Sequence, residues 1–210
     1  MKKNDDKKVL LHSCCAICSG YAIKHLRELG YEPVSYFFNP NIYPLAEHAK
    51  RLEAHKKLCD ALDCELIVDE YTPDLYEEVM VDYKHHTEGS ERCAKCFELR
   101  LLKTVQKANE LGINKYTTTI SISPHKNFEV LKEVGKSFSN HYNIEFLPID
   151  FKKQDGFLQS NLIAKSLDLY RQNYCGCENS MQSAKGKVQD VKCRITKIHL
   201  ALSTLPFAKT

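Results

Sequence analysis

The 210-residue sequence predicts an α/β fold, a mostly parallel sheet with helices on both faces. Two observations carry this. Short β-branched or aromatic runs alternate with longer stretches of helical periodicity, the pattern of βαβ crossovers. The helical stretches also close on residues that end helices, Gly30 and Gly112 among them.

In order, "KKVLLHS" (7–13) reads as a short buried strand, and "SGYAIKHLRELG" (19–30) as a helix stopped by Gly30. "PVSYFFNP" (33–40) is strand-like and closes at Asn39-Pro40. "PLAEHAKRLEAHKKLCDALD" (44–63) is an amphipathic helix, and "CELIVDEY" (64–71) a strand. A helix follows from Cys96 to Leu111, ended by Gly112, and then a β-rich run, "KYTTTISIS" (115–123). "NFEVLKEVGKSFSNHYN" (127–143) is helical and "IEFLPID" (144–150) is the last core strand. Residues 1–180 are expected to form one α/β catalytic domain. Residues 181–210 form a basic C-terminal extension with the weakest periodicity.

Hydrophobic residues at 43% and charged residues at 27% match an ordinary soluble protein. No apolar run approaches the roughly 20 residues that cross a bilayer, and the charged start "MKKNDDKKVLLHS" carries no cleavage signature. A cytoplasmic location is expected, where thiols stay reduced. The net charge of +3 is unevenly spread. From Met181 onward six basic residues face one acid, Asp190, while the first 180 residues are slightly acidic. A phosphate-rich partner such as RNA suits that end, and so does a plain solvated tail.

Seven of the ten cysteines fall in three compact groups: Cys14, Cys15 and Cys18; Cys93 and Cys96; Cys175 and Cys177. The first group follows the first strand directly, and in parallel sheets ligands sit beyond the carboxyl ends of strands. Cys93-x-x-Cys96 stands at the start of a helix, where residues three apart share a face and the helix dipole favours thiolates. Such a set points to a metal or redox centre. Zinc takes tetrahedral Cys₄ sites, and an iron–sulfur cluster also needs about four thiolates. Adjacent Cys14 and Cys15 suit a cluster, which can take neighbouring sulfurs at different irons, so Cys14, Cys15, Cys93 and Cys96 are the expected ligands. Cys18, one turn beyond Cys14, either binds a second metal or lines the pocket. Cys175 and Cys177 either form a strained, labile redox pair or supply a further ligand. Cys59, Cys64 and Cys193 are expected to be structural. His12 is expected to orient the cysteine loop, and His85-His86 to be exposed.

"LLHSCCAICSGY", "ERCAKCFELRL", "YTTTISISPHKN" and "YCGCENS" together resemble the QueH-type epoxyqueuosine reductases. Ile17 departs where a proline is common, and His125 where an aromatic is common. The resemblance spans most of residues 8 to 180 and leaves out the tail. It implies a nucleotide-binding, α-hydrolase-like (HUP-like) fold and a cobalamin-independent oxidoreductase of queuosine biosynthesis. The substrate would be tRNA bearing epoxyqueuosine in the anticodon loop. It implies a [4Fe-4S] cluster on Cys14, Cys15, Cys93 and Cys96, and a redox-active pair, Cys175 and Cys177. An additional iron ion beside the cluster, or the dithiol, would meet the two-electron demand of the reaction. The electron donor is not identified by the sequence, and no membrane partner is implied.

Splayed anticodon bases would stack on aromatics, with phosphates held by basic groups. Thr118, Thr119, Ser121, Ser123, His125 and Lys126 are candidate substrate contacts. Tyr43, Lys152, Lys153 and Arg171 are weaker ones. The competing enzyme is an ATP-dependent tRNA thiolase on the same scaffold. Its phosphate loop would need glycines where "HSCCAICSGY" has thiols. The competing non-enzyme is a zinc-stabilised RNA-binding module.

Overall fold

The computed structural model describes residues 5–184; the extension from 185 onward, with Cys193, lies outside the described residues. Five strands pair in parallel in the order β3-β2-β1-β4-β5: β1 (Lys8–His12), β2 (Glu32–Phe37), β3 (Leu66–Val68), β4 (Lys115–Thr118) and β5 (Glu145–Phe146). The helices are α1 (Ala16–Glu28), α2 (Leu45–Ala61), α3 (Pro73–Met80), α4 (Glu91–Leu111), α5 (Phe128–Tyr142) and α6 (Gly156–Ser166). A further helix starts at Glu178 and is described as far as Ala184. No helix among the described residues is long and apolar enough to cross a membrane.

Successive strand residues point to opposite faces, and β1 shows the consequence. Leu10 packs with Phe97, Leu101 and Val105 of α4 and Leu131 of α5. Leu11, its neighbour, packs with Ala22 and Ile23 of α1 and Leu58 of α2. The central strand is therefore apolar throughout, as a strand covered on both faces must be. On the α5 face, Gly135 lets the helix settle on β5: an added Cβ would come within 2.5 Å of the Phe146 ring.

Several details differ from the sequence-based expectation. Helix α4 starts at Glu91 rather than Cys96. Helix α1 starts at Ala16 rather than Ser19, which puts Cys18 in its first turn. The run 115–123 is strand only to Thr118; residues 119–122 wind into a 3-10 turn, capped where the Thr118 hydroxyl accepts the Ile120 N–H. Helices α3 and α6 fall in stretches where no element was expected. The strand order explains the site. Chain direction splits at β1, with β2 on one side and β4 on the other, so the loops leaving β1 and β4 part over a crevice at the carboxyl edge of the sheet.

Candidate metal centre

His12 ends β1 opposite Thr118 at the end of β4. Its ring is fully buried, and both nitrogens are engaged: Nε2 donates to the Phe38 carbonyl at 3.1 Å, and Nδ1 faces the Thr118 hydroxyl at 2.9 Å. A carbonyl can only accept, so the proton resides on Nε2 and Thr118 donates to Nδ1. Burial lowers the His12 pKa to about 3, which keeps the ring neutral. Next along the loop, Ser13 meets Ser35 at 2.8 Å, and Ser35 meets His55 Nε2 at 2.8 Å. The Asn39 amide donates to the Ser13 carbonyl at 2.8 Å. Bonds from β2 and the residues just after it, from β4 and from α2 thus fix the backbone that presents the first thiols.

Cys14 is held twice by Thr119. Its N–H donates to the Thr119 hydroxyl oxygen at 3.0 Å, and that hydroxyl donates to the Cys14 sulfur at 3.3 Å. Cys15 takes the extended N-cap position of α1, and Cys18 follows one turn later. The three sulfurs lie within 4.8 Å of one another. Hydrogen bonds from the Cys14 and Cys18 thiols pull Cys15 well below the ordinary thiol range, and Arg51 adds to this. The Gln172 amide also donates to the Cys15 sulfur at 2.8 Å. Cys14 and Cys18, which donate to it, are pushed up in turn, so the trio places its negative charge on Cys15.

The facing wall comes from the Cys175-Gly176-Cys177 turn. Arg51, 2% exposed, pairs with Glu47 at 2.8 Å and donates to the carbonyls of Cys175 (2.9 Å) and Tyr174 (3.1 Å). Gly176 sits at φ +139°, where a Cβ would meet Asn41, Arg51 and Ile42 at 3.1–3.2 Å. Only glycine suits both the conformation and the space. Cys175 and Cys177 are free thiols in this structure. Cys14, Cys15, Cys18 and Cys175 line a cavity of about 340 Å³, with Arg51, Lys126 and Arg171 as its basic groups.

Cys93 and Cys96 occupy the first two turns of α4 and are not in the 4.8 Å sulfur group. They share a narrow recess with Cys175 and Cys177, next to the larger cavity; Lys126 and Cys175 border both. Burial pushes the Cys96 thiol up to about 11, against the pull of Arg100. Ser123, His125 and Lys126 line the main cavity. Lys126 is itself buried and paired with Glu88 at 2.8 Å. Thr118, Thr119 and Ser121 are buried, with hydroxyls engaged inside the protein: Thr118 with His12, Thr119 with Cys14, Ser121 with the Ile149 carbonyl at 2.9 Å. Arg171 lines the cavity, whereas Tyr43, Lys152 and Lys153 do not. Cys59 and Cys64 are buried, and His85 is exposed.

Sequence reasoning passed over Arg51, Arg92, Arg100 and Gln172. Arg100 was legible, one turn beyond Cys96 on the expected helix; Arg92 was not, because α4 starts at Glu91, five residues before the expected start. Both arginines are 3% exposed, and Arg92 Nε and Nη1 have no hydrogen-bond partner. A buried guanidinium without an acceptor beside soft sulfur donors fits an anionic, thiolate-bound metal group.

The family description "Epoxyqueuosine reductase QueH" matches residues 9–183. Epoxyqueuosine reductase QueH of Streptococcus pyogenes serotype M1 is 35% identical, over 84% of this chain and 71% of that protein. The protein of the same name from Thermotoga maritima is 33% identical, over 87% and 95%. Among solved structures, the U34-tRNA thiolase NcsA from Methanococcus maripaludis with its [4Fe-4S] cluster superposes with a TM-score of 0.56 at 16% identity, covering 92% of this chain and 68% of that one. That likeness is one of fold. By the extent of the family match and the identity to its members, the chain belongs to the epoxyqueuosine reductase QueH family.

Proposed function

We propose that the chain reduces the epoxide of epoxyqueuosine in the tRNA anticodon loop to the alkene of queuosine, on an iron–sulfur centre of the [4Fe-4S] type. The reaction takes two electrons and two protons and releases the oxygen as water. Cys14, Cys15, Cys93 and Cys96 would hold the cluster, which supplies electrons one at a time from an external reductant. Cys18 would either hold an additional iron ion or line the pocket, and Cys175 with Cys177 would provide the redox pair. The observation that carries this reading is the 340 Å³ cavity walled by Cys14, Cys15, Cys18 and Cys175, with Cys93 and Cys96 on the adjoining recess.

Each other group has a part in that proposal. Thr119 and the His12–Thr118 pair hold the Cys14 loop in place. Arg51 fixes the Cys175 turn against the cavity. Ser123, His125, Lys126 and Arg171 offer hydrogen bonds and positive charge to a phosphate-bearing nucleotide. The half-exposed Phe157 on α6 offers a stacking face at the cavity wall. Residues 1–180 would form the catalytic body and 181–210 a basic extension for tRNA, although residues 178–184 form a helix that crosses that boundary.

The test is anaerobic incubation of reconstituted protein with dithionite and tRNA carrying epoxyqueuosine, followed by nucleoside mass spectrometry. Loss of one oxygen from the modified nucleoside supports the reading. A protein that carries its cluster, binds the tRNA and leaves the epoxide intact contradicts it.

A further inference from the structure

Arginine is almost never buried without an anion, yet α4 buries two. Arg92 and Arg100 are each 3% exposed, and neither forms an ion pair among the described residues. Arg92 leaves Nε and Nη1 without a partner, and Arg100 Nε donates only to the Cys96 carbonyl, at 3.3 Å. Positions 92, 96 and 100 lie one turn apart along one face of the helix, and the charge of Arg100 acts on the Cys96 thiol. Both arginines line the recess shared by Cys93, Cys96, Cys175 and Cys177. Guanidinium stays charged at any pH a protein tolerates. Two guanidinium charges without an ion pair, with Lys126 on the same recess, are unfavourable until something anionic joins them.

We infer that Arg92 and Arg100 are positioning residues for charge: they stabilise negative charge on the thiolate-bound centre and raise its reduction potential. The inference rests on the proposed function. Reduction adds one negative charge to the centre, so a nearby fixed positive charge favours the reduced form, and net charge is one of the terms that set cluster potentials. The charge of Arg100 acts on Cys96, Cys175 and Cys14, so it reaches thiols of all three sequence groups. Lys126, which borders the same recess, pairs with Glu88. That carboxylate also feels the charge of Arg92 but forms no ion pair with it, and Arg100 has no carboxylate partner among the described residues.

The experiment is a redox titration of anaerobically reconstituted protein, read by electron paramagnetic resonance and visible absorbance. It compares wild type with Arg92→Gln, Arg100→Gln, Arg92→Lys and Arg100→Lys. Each glutamine variant is expected to shift the oxidised-to-reduced ratio at a set potential at least tenfold toward oxidised, a fall of 59 mV for a one-electron couple. The lysine variants, which keep the charge, are expected to stay near wild type. Glutamine variants that load iron fully and titrate like wild type overturn the inference, as do lysine variants that shift equally far. A glutamine variant that folds by circular dichroism but does not load, while its lysine counterpart does, supports the charge requirement; failure of both to load overturns it. Wild-type protein without an iron–sulfur signal contradicts the functional reading itself. A wild-type signal with unmoved potentials contradicts only the role given to the arginines.

Discussion

Replacing Arg51 with leucine removes the clamp on the Cys175 turn, and the structure allows its effect to be sized. Arg51 makes one charge-assisted bond to Glu47 and two to main-chain carbonyls, and its guanidinium carbon stands 5.0 Å from the Tyr174 ring centroid. The two carbonyls belong to a turn with exposed residues, where water can replace the lost donors at small cost. Glu47 cannot be rehydrated as easily. It is buried, and without Arg51 it keeps only the Tyr170 hydroxyl at 2.7 Å. Leaving one partner of a buried pair uncompensated costs about 3–5 kcal/mol. In a chain of this size that corresponds to a fall in melting temperature of about 6–20 °C. The chain has no tryptophan, so far-UV circular dichroism against urea and temperature is the suitable assay. Arg51→Leu combined with Glu47→Gln should regain most of the loss, because the stranded charge is gone. A single-variant loss below about 1 kcal/mol, typical of an exposed pair, or a double variant no more stable than the single one, would refute the reasoning.

Other consequences follow from the same geometry. His12 and His55 are held neutral, with pKa values lowered to about 3 and about 4. Below the unfolded value of about 6.5 the unfolded chain binds protons that the folded chain does not, so stability should fall as pH drops from 6.5 toward 4. By pH 5 the loss is about 2 kcal/mol per histidine; urea midpoints that stay level between pH 7 and 5 would contradict it. Thr119→Val strands the Cys14 N–H and should cost about 1–3 kcal/mol and lower iron retention, whereas Thr119→Ser should restore both; thermal melts and iron content decide. Cys175→Ser should keep the cluster absorbance and lose turnover, and unchanged activity would remove the redox role given to that thiol.

The sheet was legible because its strands are apolar or β-branched runs and its helices carry clear stops, Gly112 at φ +67° being one. Helix α3 was missed although Thr72-Pro73 begins it with proline in the first turn and Asp74 beside it; at eight residues its periodicity is too short to stand out. Helix α6 exposes Phe157, Leu158 and Leu162, so its apolar residues do not follow a buried stripe. The β-rich composition of "TTTISIS" concealed the turn at Thr119, because side-chain capping overrides strand propensity there. Of the site, the sulfur groups were visible as spacing. Their partition was not: a close trio of Cys14, Cys15 and Cys18 on one side, and a recess of four thiols on the other, depend on how α4 and the Cys175 turn pack. Arg51 stayed hidden for a different reason. It lies in the middle of an amphipathic helix, and only the folded chain brings it to a turn more than a hundred residues later.

The most direct measurement is iron content with Mössbauer spectroscopy on anaerobically purified wild type, Cys14→Ser, Cys93→Ser and Cys96→Ser. A single centre bridging the two sulfur groups predicts about four irons per wild-type chain and a damaged cluster in all three variants. An intact cluster in Cys93→Ser and Cys96→Ser, or a colourless wild type that binds zinc instead, would contradict it.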